Sequence, residues 1–352
     1  MPDWTAGFER QTYSYYEVDP STWRDRRPLR GVLSCNISRD ASSDTLESAS
    51  LSMVEDVEGE FYIRAYMETT QGGIDERTPM GTFLVQTPEE EADSTHAELS
   101  VSAFSPLLEL ADADLPIGWC VRAGQDPVAK AQQVCREKCR APIVGDASGT
   151  ALVEPFVPLP DDKAIATVKT LIAKDQMSLG LDAFGRISFV PRREAAALRP
   201  AWEFDDTSIR SIMLPRVRHR KDWYGVPNHV EVVYSSPAGY LIGSATNRGG
   251  NRLSVEGRGR VVPYRETSPD LPSDPTQADV DAEAARILHE KSTLEMQVEF
   301  EHAYCPVRLG DCVRVVKSNM GLDLMAVVTR QEISLVTGCT VRTTAAYTET
   351  VW

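Results

Sequence analysis

Residues 61–69 have the sequence FYIRAYMET, and the alternation within this stretch indicates the fold class. Apolar side chains would share one face of an extended strand, while charged ones would share the other: Phe61, Ile63, Ala65 and Met67 against Arg64 and Glu68. Side chains of a β-strand point to opposite faces with a period of two. The pattern therefore predicts a half-buried strand.

The same alternation appears on the C-terminal side of this stretch. In AELSVSAFS, residues 97–105, Leu99 and Val101 oppose Ser100 and Ser102. The segment between the two strands contains turn formers and a further strand candidate: a Gly72-Gly73 turn, a break from Pro79 to Gly81, and a strand from Thr82 to Thr87. Residues 1–116 are therefore predicted to form one β-rich unit.

Helical spacing replaces alternation after about residue 117. Asp126 followed by Pro127 is a favourable helix start, because Asp can cap free N–H groups and Pro needs no hydrogen bond there. A second helix is expected after Asp161-Asp162. Both carry an apolar stripe: Val128, Ala131, Val134 and Cys135 in the first, Ile165, Val168, Leu171 and Ile172 in the second. With a β-hairpin turning at 183–185, residues 117–205 are predicted to form a small α+β unit.

Strand patterns return in the second half of the chain. Residues 228–236, NHVEVVYSS, predict a strand, whereas 236–276 are rich in turn formers and predict a loop. Thr276 and Asp279 form a capping box at the start of a helix whose inward residues are Val280, Ala284, Ile287 and Leu288. Further strands are expected at 295–304, 311–316, 325–333 and 341–347. A second β unit, residues 206–235 and 294–352, would thus be interrupted by an accessory insertion, residues 236–293, and the fold class is α+β, mostly β.

Composition limits the possible functions. The chain has 352 residues and a net charge of −15, which disfavours ordinary nucleic-acid binding because such a surface repels phosphates. The sequence contains no run of about eighteen apolar residues, so it predicts no membrane-spanning helix. The N-terminal sequence does not resemble a signal peptide, so we expect folding in the cytoplasm. The odd number of cysteines, seven, then predicts free and mostly buried thiols.

The candidate chemical motifs are weak. Cys135 and Cys139 are four residues apart on a predicted helix, but no second ligand pair follows at a spacing typical of zinc. The histidines are scattered, outside known metal or nucleophile motifs: His96, His219, His229, His289 and His302. We therefore predict no catalytic, cofactor-binding or metal-binding residues.

Other polar clusters favour structural roles. Glu89-Glu90-Glu91 is expected in a solvated loop, Asp161-Asp162 at a helix cap and Asp205-Asp206 in a turn. The Arg-Gly segments at 248–250 and 257–260 lack the lysine and Ser/Thr of a phosphate-binding P-loop.

A basic run interrupts the acidic sequence: Arg216, Arg218, His219, Arg220 and Lys221. Three interpretations remain open. The run is a solvated strand or loop, it pairs with carboxylates of a neighbouring subunit, or it contacts DNA. We expect most of it to face a neighbour or the outer surface.

Several phrases of the sequence, in this order, resemble the phage tail hub family. They are YYEVDPSTWRDRRPLRGVLSCNISRDASSDTLESASL at 15–51, PMGTFLVQTP at 79–88, AFSPLLELADADLPIGW at 103–119, LDAFGRISFVPR at 181–192, YGVPNHVEVVY at 224–234 and EFEHAYCPVRLGDCVRV at 299–315. The resemblance spans nearly the whole chain. It implies two tail-tube-like antiparallel β-barrel domains plus two smaller α+β accessory domains.

The resemblance also implies a function without chemistry. Three chains would form a homotrimeric tail-tip or baseplate hub around the DNA channel, which DNA passes without specific binding. Its partners would be the distal tail ring or tail tube protein, the tape measure protein, and spike or fibre proteins. The location would be the virion tail tip, after assembly in the host cytoplasm. The alternatives are a tail-associated peptidoglycan hydrolase and a receptor-binding module. Since the sequence stops at Trp352, we expect lytic or receptor-binding activity on another polypeptide.

Overall fold

The structure is a computed structural model that describes residues 2–54, 59–92, 97–145, 147–192, 198–236, 239–267, 271 and 275–350. The chain divides into two compact units. Unit 1 contains Met1–Val217 and Glu299–Ala345, and unit 2 contains Arg218–Val298 and Ala346–Trp352. None of the helices in the described residues is both long and apolar enough to cross a membrane.

The fold is mostly β, with 47% strand and 15% helix, which confirms the expected class. The strands are β1 (Arg10–Asp19), β2 (Arg24–Leu29), β3 (Val32–Asp40), β4 (Glu47–Met53), β5 (Tyr62–Gln71), β6 (Ile74–Ala92), β7 (Ala97–Phe104), β8 (Ile143–Val144), β9 (Met177–Leu181), β10 (Ile187–Pro191), β11 (Trp202–Asp205), β12 (Met213–Lys221), β13 (His229–Ser236), β14 (Gly239–Thr246), β15 (Pro263–Glu266), β16 (Thr293–Ala303), β17 (Cys312–Lys317), β18 (Leu322–Ser334) and β19 (Thr340–Thr350). The helices are α1 (Leu108–Asp112), α2 (Pro127–Lys138), α3 (Ala164–Ala173), α4 (Val255–Arg258) and α5 (Gln277–Lys291).

One large sheet links the beginning and the end of the chain. Its strand order is β12-β16-β19-β18-β3-β4-β7-β6-β5-β1-β2, with β17 on β18 and β11 on β17. The early and late strands meet where β18 pairs antiparallel with β3, from Arg330 opposite Asp40 to Ser334 opposite Asn36. In the described residues these pairings form an open path rather than two closed barrels.

The strand that indicated the fold class is β5, and it is more buried than alternation predicts. Tyr62 through Met67 are all buried, so the prediction of a half-buried strand is wrong. Arg64 is accommodated because its guanidinium donates to Thr82 Oγ1 at 2.8 Å and to Asp25 Oδ1 at 2.9 Å. A buried charge is tolerated when its donors are satisfied in this way.

The hairpin that follows β5 turns at Gly72-Gly73, as predicted, with both glycines at positive φ. The predicted break at Pro79–Gly81 is wrong, because β6 continues through it. The register of the β5–β6 pair shifts between Ala65 and Tyr66, opposite this Pro79–Gly81 segment. A β-bulge of this kind admits a proline without ending the strand.

The predicted α+β segment packs within unit 1. Asp126 caps α2 as expected, accepting from the N–H groups of Val128 and Ala129. Helix α3 starts at Ala164 with Lys163 at its N-cap, so the cap predicted at Asp161-Asp162 is wrong; Asp162 instead accepts from the Leu159 N–H. The apolar stripes of both helices are buried as predicted, together with residues of the β9–β10 hairpin.

Unit 2 contains a three-stranded sheet in the order β14-β13-β15, with α5 packed against it. The capping box of Thr276 and Asp279 forms as predicted, and the four inward residues of α5 are buried. The loop predicted for residues 236–276 is wrong, since β14, α4 and β15 lie there. Turn-forming residues concealed these elements because all three are short, from four to eight residues.

Gly243 sets the distance between β14 and α5. A Cβ added there would lie 2.5 Å from the Val280 carbonyl oxygen, a backbone atom that cannot move independently. Gly243→Ala should therefore lower the free energy of unfolding of unit 2 by about 1–3 kcal/mol and speed amide exchange in α5. Urea unfolding and hydrogen exchange measure both. Gly250→Ala is the matched control, since open space surrounds that position; equal stabilities of the two variants would contradict this packing.

Candidate interaction surfaces

The two faces of strands β3, β4 and β7 differ in chemistry. One face is buried and apolar, with Ile37, Leu51 and Val101 at its centre. The other face carries short polar side chains, most of them hydroxyls, and is called here the hydroxyl face. Its residues, including the end of β18, are Ser34, Asn36, Ser38, Ser48, Ser50, Ser52, Ser100, Ser102 and Ser334.

The strand registers align these side chains in rows across the sheet. One row runs Ser334, Asn36, Ser50, Ser102 and Gln86 over five successive strands. Because the side chains are short, the face forms a shallow trough with a volume of about 410 Å³. Glu332 is the charged residue that lines the trough. The surface is thus polar, and basic side chains do not line the trough.

Charges beside the trough are neutralised by each other. Glu332 lies 3.1 Å from Arg330 and 3.6 Å from Arg342. Arg342 also donates to Glu301 at 2.7 Å and lies 3.8 Å from Glu299. Two arginines therefore contact three carboxylates, which leaves this part of the sheet mildly acidic.

A chain of buried hydrogen bonds runs beneath this sheet in unit 1. Arg39 donates to Gln331 Oε1 at 2.9 Å, and Gln331 Nε2 lies 3.4 Å from Thr343 Oγ1. Thr343 Oγ1 is 2.8 Å from His302 Nε2, while His302 Nδ1 is 2.7 Å from the Ala303 carbonyl oxygen. Since a carbonyl only accepts, Nδ1 carries the imidazole hydrogen and Nε2 accepts from Thr343.

An ionic cluster completes the buried network. Glu47 on β4 is 4% exposed; it lies 3.4 Å from Arg39 Nε and accepts a hydrogen bond from Arg308. Arg39 also donates to the Met80 carbonyl at 2.8 Å. One carboxylate and two guanidinium groups therefore connect β3 and β4, near the start of the chain, with the segment preceding β17 near its end.

Burial shifts the protonation of this network. Burial, with Arg308 nearby, lowers the pKa of Arg39 to about 10, so its charge is retained at neutral pH. Burial also lowers the pKa of His302 to about 4, so this imidazole is neutral in the folded protein. A neutral imidazole fits the hydrogen-bond direction, because Nε2 must keep its lone pair for Thr343.

All seven cysteines are free thiols, and six of them are buried, as expected. Cys135 and Cys139 lie near the end of α2 in the apolar core of unit 1. Burial raises the pKa of Cys135 to about 12 and that of Cys139 further. The thiolate form that binds metals is therefore disfavoured, and the described residues include no cluster of three or more metal-binding groups.

The histidines are dispersed, and His96 lies outside the described residues. His219 lies 2.9 Å from the Tyr347 hydroxyl and stacks on that ring. His229 Nδ1 lies 2.8 Å from Thr246 Oγ1, and its other ring nitrogen lies 3.5 Å from Glu231. His289 is exposed on α5, whereas His302 belongs to the buried network.

The carboxylate pairs occupy separate structural positions. Glu89–Glu91 lie in β6 rather than in the predicted loop, with the Glu89 side chain exposed. Asp206 lies in the turn after β11, as predicted, 2.9 Å from Lys317, whereas Asp205 is the last residue of β11 and accepts from the Thr207 N–H.

The two arginine-rich parts of the sequence fall on strand β12 and on residues 247–260, a loop that includes the one-turn helix α4. Strand β12 is an end of the large sheet, and Arg216, Arg218, Arg220 and Lys221 are exposed on it. Arg220 pairs with Asp222 at 3.1 Å. Arg258, in the loop, donates to the Trp223 carbonyl oxygen at 3.1 Å, which brings the loop and the residues after β12 into contact.

No protein-family model matches the sequence, and no curated protein matches it in sequence. Solved structures match over nearly its whole length. The tail protein from Neisseria meningitidis MC58 has 13% identity and a TM-score of 0.64, with coverage of 95% of this chain and 96% of that one. The 43 kDa tail protein of prophage MuSo2 from Shewanella oneidensis has 14% identity and a TM-score of 0.66, with coverage of 96% and 98%. The chain has the fold of phage tail proteins.

A third solved structure also matches nearly the whole chain. A chain of the Francisella PdpA-VgrG complex has 6% identity and a TM-score of 0.57, with coverage of 96% of this chain and 58% of that one. The resemblance to tail hub proteins, first based on sequence phrases, is thus confirmed for the fold.

Two features of the tail-protein fold escaped the sequence analysis. The hydroxyl face has a period-two signal in 34–38 and 48–52, where polar residues alternate with Cys35, Ile37, Ala49 and Leu51. The buried ionic cluster gives no such signal, because Arg39, Glu47 and Arg308 belong to residue types that are usually exposed. Their burial depends on strand pairing between distant segments.

Removing the carboxylate of Glu47 tests the ionic cluster. Glu47→Gln leaves two arginine charges without a buried counterion, so it should lower the free energy of unfolding by about 3–5 kcal/mol. Urea unfolding measures the change. Glu332→Gln is the matched control on the exposed side, and it should cost less than about 1 kcal/mol. Similar losses in the free energy of unfolding of both variants would show that the buried cluster contributes no more to stability than an exposed ion pair.

His302 should make folding sensitive to acid. Between pH 6.5 and 4 the unfolded chain binds a proton at this residue and the folded protein does not, so stability falls as pH falls. With a folded pKa of about 4, the loss from pH 7.5 to pH 5 is about 2 kcal/mol. The His302→Asn variant has no imidazole to protonate and lacks this loss. The difference in free energy of unfolding between wild type and variant should therefore shrink by about 2 kcal/mol from pH 7.5 to pH 5. Parallel pH curves in urea unfolding would rule the effect out.

Proposed function

We propose that this chain is a structural tail-tip, or baseplate, hub protein that forms a homotrimer around the DNA channel of a phage-type tail. The observation that carries the proposal is the match of fold, over at least 95% of both chains, to two tail proteins. In this proposal the chain is a virion component assembled in the host cytoplasm, and it catalyses no reaction.

The proposed trimer matches a sixfold tube to a threefold tip. Each chain would contribute two tube-like β domains, residues 1–116 and residues 206–235 with 294–352, so that three chains present six. Residues 117–205 and 236–293 would be the accessory domains. Strands β2 and β12 end the sheet path, and a neighbour in the ring would cover such edges and complete barrel-like layers.

The hydroxyl face suits the DNA side of the ring. A wall rich in lysine and arginine would hold phosphates and resist sliding, because neutralising them releases counterions. Short hydroxyl and amide side chains offer hydrogen bonds without a fixed charge, and the nearby arginines are already paired with carboxylates. The proposed partners are the distal tail ring or tail tube protein, the tape measure protein, and spike or fibre proteins at the tip.

The oligomeric state tests the proposal directly. The purified chain should form a species of three times 38.9 kDa, alone or once assembled with its neighbours. Large obligate interfaces are expected for a ring of this kind. Native mass spectrometry and sedimentation equilibrium measure the state. A monomer at every concentration, together with a position off the threefold axis in the particle, would refute the proposal.

A further inference from the structure

Unit 2 carries a basic and aromatic patch composed of two segments. The first, residues 218–224, has Arg218, Arg220 and Lys221 exposed and ends in Trp223 and Tyr224. The second is the loop of residues 247–260, and its exposed arginines are Arg248, Arg252 and Arg260. Tyr224 is 96% exposed and Trp223 42%. These two segments together are called the arginine patch.

The loop half of the patch is held in a fixed conformation by buried amides. Asn228 donates to the carbonyl oxygens of Leu253 and Arg260, at 3.3 and 3.0 Å, and accepts from the Val262 N–H at 2.7 Å. Asn247 accepts from the Gly249 N–H at 3.2 Å. Since the backbone is already ordered, little conformational entropy is lost when a partner binds.

Three arginines of the loop are not neutralised within the described part of the chain. No described carboxylate forms an ion pair with Arg248, Arg252 or Arg260, whereas Arg265 and Arg286 in the same unit are both paired. The patch also contains two exposed acidic residues, Asp222 and Glu256. The positive charge of these three arginines is therefore available to a partner, but it is interspersed with negative charge.

The composition of the patch favours a protein partner over nucleic acid. Arginine, tryptophan and tyrosine are the residue types enriched at the centres of protein interfaces. Asp222 and Glu256 would repel a phosphate backbone and so weaken nucleic-acid binding. A recess of about 360 Å³ beside Arg220 and Tyr224 can receive a partner side chain.

The charge distribution favours a second copy of this chain as the partner. Unit 2 contains ten basic and twelve acidic residues, so most of the net charge of −15 belongs to unit 1. We infer that the arginine patch is a subunit interface that binds the acidic surface of unit 1 of a second copy of this chain. The inference rests on the proposed ring-forming function and specifies which surface closes the ring.

Charge reversal in the loop tests this interface. The triple variant Arg248→Glu, Arg252→Glu, Arg260→Glu should weaken self-association by about 10- to 100-fold at 100 mM salt, since each exposed ion pair contributes modestly. The corresponding Arg→Gln variant should show a smaller loss, because it removes attraction without adding repulsion. Association of the wild type should also weaken from 50 to 500 mM salt. Sedimentation equilibrium measures all three, and circular dichroism confirms folding.

The matched control reverses three exposed arginines of unit 1. Arg122→Glu, Arg136→Glu, Arg192→Glu changes net charge by the same amount and should not weaken association, because it adds negative charge only to the unit that the patch binds. Equal association of both triple variants and wild type would overturn the inference while leaving the proposed trimer intact. A wild type that stays monomeric throughout would instead contradict the proposed function itself.

A DNA-binding measurement tests the remaining alternative, that the arginine patch binds nucleic acid. Titration with a 30-base-pair duplex should give no patch-dependent binding at 150 mM salt. If the duplex binds wild type, and the loop triple variant loses that binding without any change in self-association, the patch is a nucleic-acid surface and the inference is wrong.

Discussion

The fold of unit 1 depends on one buried carboxylate, Glu47, held between the guanidinium groups of Arg39 and Arg308. Buried charges are costly unless their partners are in place. Arg39 and Glu47 come from the first sixth of the chain and Arg308 from the last, so the three meet only when β18 and β3 pair in register. A shift of β18 by one residue would turn Gln331 away from Arg39 and expose Ile333, which lies opposite Ile37. The cluster therefore couples correct pairing of the chain ends to the stability of the sheet.

The same pairing of β18 with β3 completes the hydroxyl face, which we propose faces the DNA. Once β18 lies beside β3, Ser334 joins Asn36, Ser50 and Ser102 in one row. The apolar residues that alternate with them fill the core. The outward side chains therefore do not have to pack in the core and can be small and uncharged. Three arginines that form no ion pair with a described carboxylate, Arg248, Arg252 and Arg260, lie elsewhere, in unit 2. The proposal therefore assigns DNA sliding and subunit assembly to separate surfaces.

Local patterns in the sequence predicted local structure well. The Gly72-Gly73 turn, the Asp126 cap and the Thr276 capping box all formed as predicted, because each depends on residues close in sequence. The predictions of a half-buried β5 and of a loop at 236–276 were wrong, because both outcomes depend on tertiary packing. Burial of Arg64 depends on Asp25 and Thr82, and β14 is stabilised by packing of Gly243 against α5. The hydroxyl face had a partial signal in Ser100 and Ser102, but its extent depends on strand order, which alternation alone does not specify.

A cryo-electron microscopy reconstruction of the assembled particle tests the central claim most directly, since it locates the chain and orients its sheet in one measurement. The account predicts three copies around the tail axis at the tip end of the tube, with Ser50 and Ser102 facing the bore. A chain located away from that position, or a bore lined by the opposite face of the sheet or by the arginine patch, would contradict it.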